Sequence, residues 1–189
     1  MASQAFTVHL EVLLADAEEL DDAHTRLRTG QAGRQWRLGA INRAAVVICV
    51  SSWEAYVEEL IKEAIEALRP AGPALGAWPA LKGSALGAIG RFNNPNTQNT
   101  VQLFSTCLGL ADVTNNWGWQ NCNRQTAREH LNEALRNRHE IAHGVNPRPI
   151  IHNGYASWLP SLFKNLGRCT DTAVLQHLVG PLGINPAPW

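Results

Sequence analysis

One short stretch of the chain, residues 135–144, concentrates side chains that can do chemistry. It reads Leu-Arg-Asn-Arg-His-Glu-Ile-Ala-His-Gly and places Glu140 between His139 and His143, directly after Arg138. A guanidinium matches phosphate with a planar fork of donors, and an imidazole gains and loses protons near neutral pH. Together these groups could hold a phosphate and move a proton beside it.

A helix must position this stretch. Its start is predicted by the capping box Thr126-Ala-Arg-Glu129, and its end by Gly144, placed as a helix-terminating glycine. At 100° per residue, Arg138 falls near the middle of an apolar face. An unpaired buried guanidinium is costly, so Arg138 should meet a carboxylate, a wet interface or an anionic ligand. The residues of this face are Ala127, Leu131, Ala134, Leu135, Ile141 and Ala142.

The two histidines lie on one side of this helix. His139 and His143 are one turn apart and flank the apolar face, whereas Arg138 and His143 are separated by roughly 140° of rotation. Arg138 and His143 therefore meet more easily across a shared cleft than directly. The helix dipole favours a protonated imidazole in the last turn, which suits a general acid or base. The structural alternative is that His143 only ends the helix and that Arg138 pairs with Glu54 or Glu133.

The remaining chain also has helical periodicity. Apolar residues recur at three- and four-residue intervals, and no alternating strand pattern occurs. The sequence therefore predicts an all-α fold, an antiparallel bundle of about five helices. The predicted helices cover about 6–27, 34–68, 97–110, 126–143 and, as one or two helices, 158–179.

Two segments interrupt this pattern. Residues 70–96 are rich in proline and glycine, which predicts a long irregular excursion that could include one short helix. It could cover the cleft or only connect helices. Residues 180–189 form a proline-rich tail. Neither segment predicts a domain boundary, so we expect a single domain over residues 1–189.

Composition narrows the function classes. Lys+Arg and Asp+Glu are both 16, so the formal net charge is zero, and any nucleic-acid chemistry must rest on a local site. The four cysteines are far apart without a CxxC pair, which predicts reduced thiols. Neither a signal-peptide pattern nor a long apolar run occurs, so we expect a cytoplasmic protein without membrane contact.

The motif stretch resembles the signature of HEPN domains, in which an arginine and a polar residue are followed, after three positions, by a histidine. Here these are Arg138, His139 and His143. The ending Glu-Ile-Ala-His-Gly resembles the RiboL-PSP-HEPN branch in particular. A stretch of the predicted helix 34–68 also resembles this branch. It covers residues 44–60 and reads Ala-Ala-Val-Val-Ile-Cys-Val-Ser-Ser-Trp-Glu-Ala-Tyr-Val-Glu-Glu-Leu. These segments anchor the resemblance across roughly residues 40–145.

The resemblance implies a homodimer whose two motif helices face one cleft, and a metal-independent endoribonuclease that cleaves RNA by attack of the ribose 2′-OH. His143 would activate the 2′-OH or protonate the leaving 5′-oxygen, and Arg138 would stabilise the charged phosphorane. His139 would orient groups or contact phosphate. No metal or other cofactor is implied.

The resemblance also suggests a biological setting, a toxin or phage-defence ribonuclease with a protein antitoxin or regulatory partner. Toxins of this family that are silenced by a nucleotidyltransferase antitoxin carry a tyrosine two residues after the histidine. The corresponding residue here is Val145. An antitoxin of that kind is therefore not expected.

Two other interpretations use the same residues. Residues 139–143, His-Glu-Ile-Ala-His, match the HExxH motif of zinc metallopeptidases. A hydrolytic zinc needs a third protein ligand, and after the motif the chain offers only Asp171, His152 and His177. The second interpretation is a non-catalytic helical dimerisation or interaction module, in which the arginine and histidines are structural.

Several further residues could support the site. Glu54, at the edge of the apolar face of the predicted helix 34–68, could pair with Arg138 or be simply solvated. Trp117 and Trp119 could stack bases or pack against the start of the motif helix. Glu140 is counted with these supporting residues. Four arginines around the motif could steer phosphates or be ordinary surface charges: Arg124, Arg128, Arg136 and Arg148.

Overall fold

The computed structural model describes residues 2–30, 38–70, 72–144 and 149–189. It is 76% helical, and no strand forms in these residues, which confirms the predicted all-α class. A π-helical segment, Ala5–Leu10, leads into the first α-helix, and 3-10 helices cover Gly72–Ala77 and Val113–Asn116. The described α-helices are α1 Glu11–Leu27, α2 Leu38–Ala67, α3 Trp78–Ile89, α4 Thr97–Leu108, α5 Arg124–His143 and α6 Asn153–Val179.

Helix α2 is the core of the fold. It is apolar on most sides, as expected for a helix surrounded by others, and it packs against α1, α4, α5 and α6. The ring of Trp53 is fully buried, with centroids 5.5 Å from Tyr56, 5.9 Å from Trp117 and 6.1 Å from Phe163. The hydroxyl of Tyr56 donates a 2.8 Å hydrogen bond to the carbonyl of Gly167 on α6. The aromatic cluster therefore ties α2 to its neighbours.

The boundaries of α5 were predicted correctly at one end only. Gly144 follows the helix in the left-handed conformation at φ 65°, as predicted. The predicted capping box was wrong, because the N-cap lies three residues before Thr126 and the helix begins at Arg124. Asn123 is the N-cap, and its side chain accepts a 2.9 Å hydrogen bond from the Thr126 backbone N–H. Asparagine is a stronger N-cap residue than threonine, so the helix starts after Asn123 and not after Thr126.

Residues 70–96 are more helical than their composition predicted. Pro79 lies in the first turn of α3, where its missing N–H has no intrahelical acceptor to lose. Trp78, Ala85 and Ile89 turn inward, and α3 packs against α2 and α4. Burial of that face outweighs the weak helix propensity of glycine, which the sequence pattern alone could not weigh.

The remaining predictions about the fold had different outcomes. Helix α6 begins at Asn153 rather than near 158, while residues 180–189 lie outside any helix, as predicted. The predicted start of the second helix, near Arg34, lies outside the described residues. All four cysteines are free thiols. Across the described ranges, no helix combines the length and apolarity needed to cross a bilayer.

We expect Gly167→Ala to lower the free energy of unfolding by about 1–3 kcal/mol. A Cβ at this buried position would overlap Leu10 Cδ2 and come within 3.0 Å of the Phe6 ring, so these two packed side chains of the N-terminal helix, residues 5–27, would have to shift. Urea denaturation measures the loss. Gly154→Ala on the same helix is the matched control, because nothing lies within 4 Å of its Cβ. Equal stability of the two variants would contradict the close approach of α6 to the N-terminal helix.

Candidate active site

An open cleft of about 640 Å³ lies beside the C-terminal half of α5. One wall belongs to α5, and the other is the segment that leads from α3 into α4. The lining residues on α5 are Asn132, Leu135, Arg136, Arg138, His139, Glu140 and His143. Those on the opposite wall are Asn93, Asn94, Asn96 and Gln98.

The motif residues meet at this cleft. Arg138, His139 and His143 all line it, together with Arg136 and Glu140. The imidazole rings of His139 and His143 lie with centroids 4.3 Å apart at an interplanar angle of 43°. Both rings are exposed, whereas Arg138 is half-buried. The cleft therefore holds one partly desolvated cation beside two accessible imidazoles.

The apolar face of α5 is shorter than the sequence predicted. It is buried through Leu135, but Ile141 is only half-buried and Ala142 is exposed. Arg138 consequently lies where the core ends, instead of in the middle of a buried face. The last turn of α5 extends beyond the core contacts that hold the first half of the helix.

Glu54 on α2 lies close enough to Arg138 for their charges to interact. Burial raises the pKa of the Glu54 carboxyl, the Arg138 guanidinium partly opposes that rise, and Glu58 adds to it. Glu54 is half-buried, and these two described residues form no direct ion pair. Neither sequence interpretation, full solvation or pairing, describes Glu54. It is a partly desolvated acid behind the cleft arginine.

The raised pKa of Glu54 predicts a pH-dependent difference in stability. A carboxyl whose pKa is higher in the folded state destabilises the fold once it ionises, so its contribution is lost as pH rises through the folded pKa. We expect the free energy of unfolding of Glu54→Gln, relative to wild type, to increase between about pH 4 and about pH 7. Urea denaturation at both pH values measures it.

Glu19→Gln is the control for this prediction, because Glu19 is an exposed acid on α1. Its difference from wild type should change little over the same pH interval. A fall in the relative stability of Glu54→Gln towards neutral pH would show instead that attraction to Arg138 outweighs the burial of the carboxyl.

The two tryptophans lie away from the cleft. Trp117 is 1% exposed, and its Nε1 donates a 2.9 Å hydrogen bond to Thr170 Oγ1. Trp119 is half-buried, and its backbone pairs with Cys122 just before α5 begins. The 20 residues of α5 extend about 30 Å from there to His143. Of the two sequence interpretations, packing therefore describes Trp117, which has no exposed ring face to offer a base.

The four arginines differ in their surroundings. Arg136 is exposed and lines the cleft. Arg124 forms an ion pair with Asp112 and donates to Thr114 Oγ1 at 3.2 Å, so it stabilises the loop before α5. Arg128 is half-buried and does not line the cleft. Arg148, like Val145, lies outside the described residues.

Sequence reasoning missed the amide side chains of the opposite wall. Asn96 is the N-cap of α4, and its side chain accepts a 2.9 Å hydrogen bond from the Asn99 N–H. Asn132 Oδ1 on α5 accepts a 3.0 Å hydrogen bond from the Thr97 N–H, which joins the two walls. The sequence pattern that could have indicated this wall is the run Asn-Asn-Pro-Asn, residues 93–96, at the end of the excursion. These last residues of the excursion form part of the cleft.

A zinc site would need a third ligand beside the two motif histidines. Within the described ranges, no group of three or more His, Cys, Asp or Glu side chains is arranged to hold a metal ion. Asp171 accepts a hydrogen bond from the Ser3 N–H at 3.2 Å, and His177 Nε2 lies 2.8 Å from the Leu108 carbonyl. Both are engaged by residues outside the cleft, and the exposed His152, at the N-cap of α6, does not line the cleft. None of the three candidate third ligands therefore lines the cleft with the motif histidines.

A family model matches most of the chain. The model described as RiboL-PSP-HEPN matches residues 12–176. The matched range contains α2, α5 and both walls of the cleft. Comparisons with curated proteins and with solved structures give no match.

Proposed function

Because the chain belongs to the RiboL-PSP-HEPN family, we propose that it is a metal-independent endoribonuclease whose active site is the α5 cleft. HEPN families include ribonucleases, and the resemblance seen in the motif extends over most of the chain. One observation carries the proposal: Arg138, His139 and His143 line the same open cleft. A cation and titratable groups beside one cavity are what phosphodiester cleavage without metal requires.

The proposed reaction is an internal transfer at phosphorus. A base takes the proton of the ribose 2′-OH, the 2′-oxygen bonds to phosphorus, and the bond to the 5′-oxygen breaks as an acid protonates that oxygen. The products are a 2′,3′-cyclic phosphate and a 5′-hydroxyl. His143 performs one of the proton transfers, and Arg138 stabilises the added negative charge of the phosphorane.

The surroundings of Arg138 suit this role. Its guanidinium is half-buried, which strengthens its attraction for an anion compared with a fully hydrated arginine. Glu54 lies behind it without a direct ion pair, so the planar fork of donors stays open to the cleft side. His139 lies against His143 and orients it or contacts phosphate.

The proposal includes a homodimer in which two copies of α5 share one cleft. Its support is the last turn of α5, where half-buried Ile141 and exposed Ala142 continue the apolar face beyond the core. A second copy would cover these residues, and the two His143 side chains could then act as acid and base. Light scattering at micromolar concentration should give a dimer, and a stable monomer would contradict the shared cleft.

We further propose a cytoplasmic toxin or phage-defence role, with RNA as substrate and a protein antitoxin or regulatory partner. A ribonuclease acting on cellular RNA must be restrained, since its activity harms its own cell. Expression of the wild-type protein alone should slow growth, and expression of His143→Ala at the same level should not. Equal growth would oppose the toxin role without bearing on the chemistry.

The decisive experiment incubates purified protein with total RNA in EDTA. Cleavage should persist and give fragments with 5′-hydroxyl and 2′,3′-cyclic phosphate ends. His143→Ala should leave the RNA intact. Cleavage that requires added divalent metal, or fragments with 5′-phosphate ends, would overturn the proposed mechanism.

A further inference from the structure

The wall opposite the histidines is built from carboxamides. Asn93, Asn94 and Gln98 are exposed, line the cleft, and have side chains with no hydrogen-bond partner in the described part of the chain. Asn96 and Asn132 line it too, but their side-chain oxygens hold the start of α4. Of the five amides that line the cleft, two are therefore structural, Asn96 and Asn132, and the three exposed ones on the wall opposite the histidines have unused hydrogen-bonding capacity.

The backbone that carries these amides is held in place. Trp53 Nε1, from the centre of the core, donates a 3.2 Å hydrogen bond to the Pro95 carbonyl. The Asn94 carbonyl accepts from Asn99 Nδ2 at 2.8 Å and from the Asn96 N–H at 2.8 Å. A binding wall on a fixed backbone loses less conformational entropy when a ligand is bound.

Carboxamides suit a nucleobase better than they suit a phosphate. A carboxamide carries a donor and an acceptor side by side, which matches the edges of bases, and it carries no charge to attract an anion. The imidazole of His139 and the guanidinium of Arg136, on the facing wall, offer planar surfaces on which a base can stack. The volume, about 640 Å³, lies within the range of about 300–1,000 Å³ typical of small-ligand sites.

We propose that Asn93, Asn94 and Gln98 form a specificity subsite for an unpaired nucleobase of the RNA whose phosphate lies at Arg138 and His143. This inference rests on the proposed ribonuclease function for the neighbouring phosphate. We expect an unpaired base, because side chains cannot read the deep, narrow major groove of an RNA duplex, and the shallow minor groove is recognised mostly by its shape. The zero net charge agrees with recognition by local contacts instead of a general attraction to RNA.

The test measures binding and cleavage separately. Fluorescence anisotropy with the His143→Ala protein compares a labelled single-stranded RNA with a hairpin that pairs the same sequence, and each of the four bases is placed in turn at one position. The triple substitution Asn93→Ala, Asn94→Ala and Gln98→Ala should weaken single-strand binding about 5- to 150-fold and remove the preference among bases. Binding to the hairpin should be weak for the His143→Ala protein both with and without the triple substitution.

Asn115→Ala is the matched control, because Asn115 is exposed and does not line the cleft. It should leave single-strand binding and base preference unchanged. The three subsite side chains make no hydrogen bonds in the described ranges, so the triple variant should keep the wild-type melting temperature. Each single substitution repeats the test with a smaller change to the wall.

The outcomes separate the subsite from the nuclease. If the wild type does not cleave RNA but single-strand binding depends on the three amides, the subsite stands and the ribonuclease proposal fails. If the wild type cleaves RNA and the triple variant binds and cleaves with unchanged base preference, the subsite is wrong. A triple variant that changes only the monomer–dimer equilibrium would assign this wall to the interface between copies, which also overturns the subsite.

Discussion

His143→Ala should slow RNA cleavage in EDTA about 10²- to 10⁴-fold, the usual contribution of a general acid or base. The imidazole is exposed in the last turn of α5 and contacts His139, so its removal takes little packing from the core. The free energy of unfolding should therefore change by less than about 0.5 kcal/mol. Cleavage kinetics and urea denaturation of the same preparations separate loss of chemistry from loss of fold.

His9→Ala is a suitable control, since His9 is a half-buried histidine that lies outside the cleft, and it should cleave at the wild-type rate. Mixed dimers extend the test of His143. If both copies contribute to one site, a wild-type protomer paired with His143→Ala should have well below half of the wild-type dimer's activity. Normal cleavage by His143→Ala would remove this residue from the chemistry and leave it only ending a helix.

Arg138→Ala should lower the rate of cleavage about 10²- to 10³-fold, which is typical for loss of a donor that stabilises transition-state charge. The effect should fall mainly on kcat, because negative charge increases at phosphorus as the 2′-oxygen attacks. Arg138→Lys should recover only part of the rate, since an ammonium lacks the planar fork that matches two phosphate oxygens. Arg91→Ala, at an exposed arginine outside the cleft, is the control.

The fold should survive the loss of Arg138. The guanidinium is half-buried at the end of the core and makes no direct ion pair with Glu54, so its removal leaves no close partner unsatisfied. The pKa of Glu54 should rise further, since the Arg138 charge now lowers it. If Arg138→Ala unfolds the protein while His143→Ala cleaves normally, then Arg138 is structural and the nuclease proposal fails.

Only one wall of the cleft could be predicted from the sequence. The motif histidines and Arg138 lie within two turns of a single helix, so their relative placement follows from helical periodicity. The amides at residues 93–98 are about 40 positions away in the chain. Tertiary hydrogen bonds hold them at the cleft, from Trp53 Nε1 to the Pro95 carbonyl and from the Thr97 N–H to Asn132 Oδ1. Pairings of that kind depend on tertiary packing, which a local pattern does not encode.

The position of two residues illustrates the same limit. For Trp117, within a polar loop, the sequence left base stacking and packing open, and the structure buries its ring beside Trp53 in the core. For Glu54 the sequence left solvation and pairing with Arg138 open. The packing of α5 on α2 brings the two residues near each other without an ion pair and partly removes the water around Glu54. In both cases, burial was decided by an element distant in sequence.

The sequence by itself determined the all-α class, the end of α5 at Gly144 and the family, because helix periodicity, a left-handed glycine and a contiguous motif are local properties of the chain. Tertiary structure alone decided which wall faces the histidines, how far Arg138 is buried and that residues 78–89 form a helix. These features depend on which apolar surfaces are covered, and the free energy of covering them comes from contacts between distant segments.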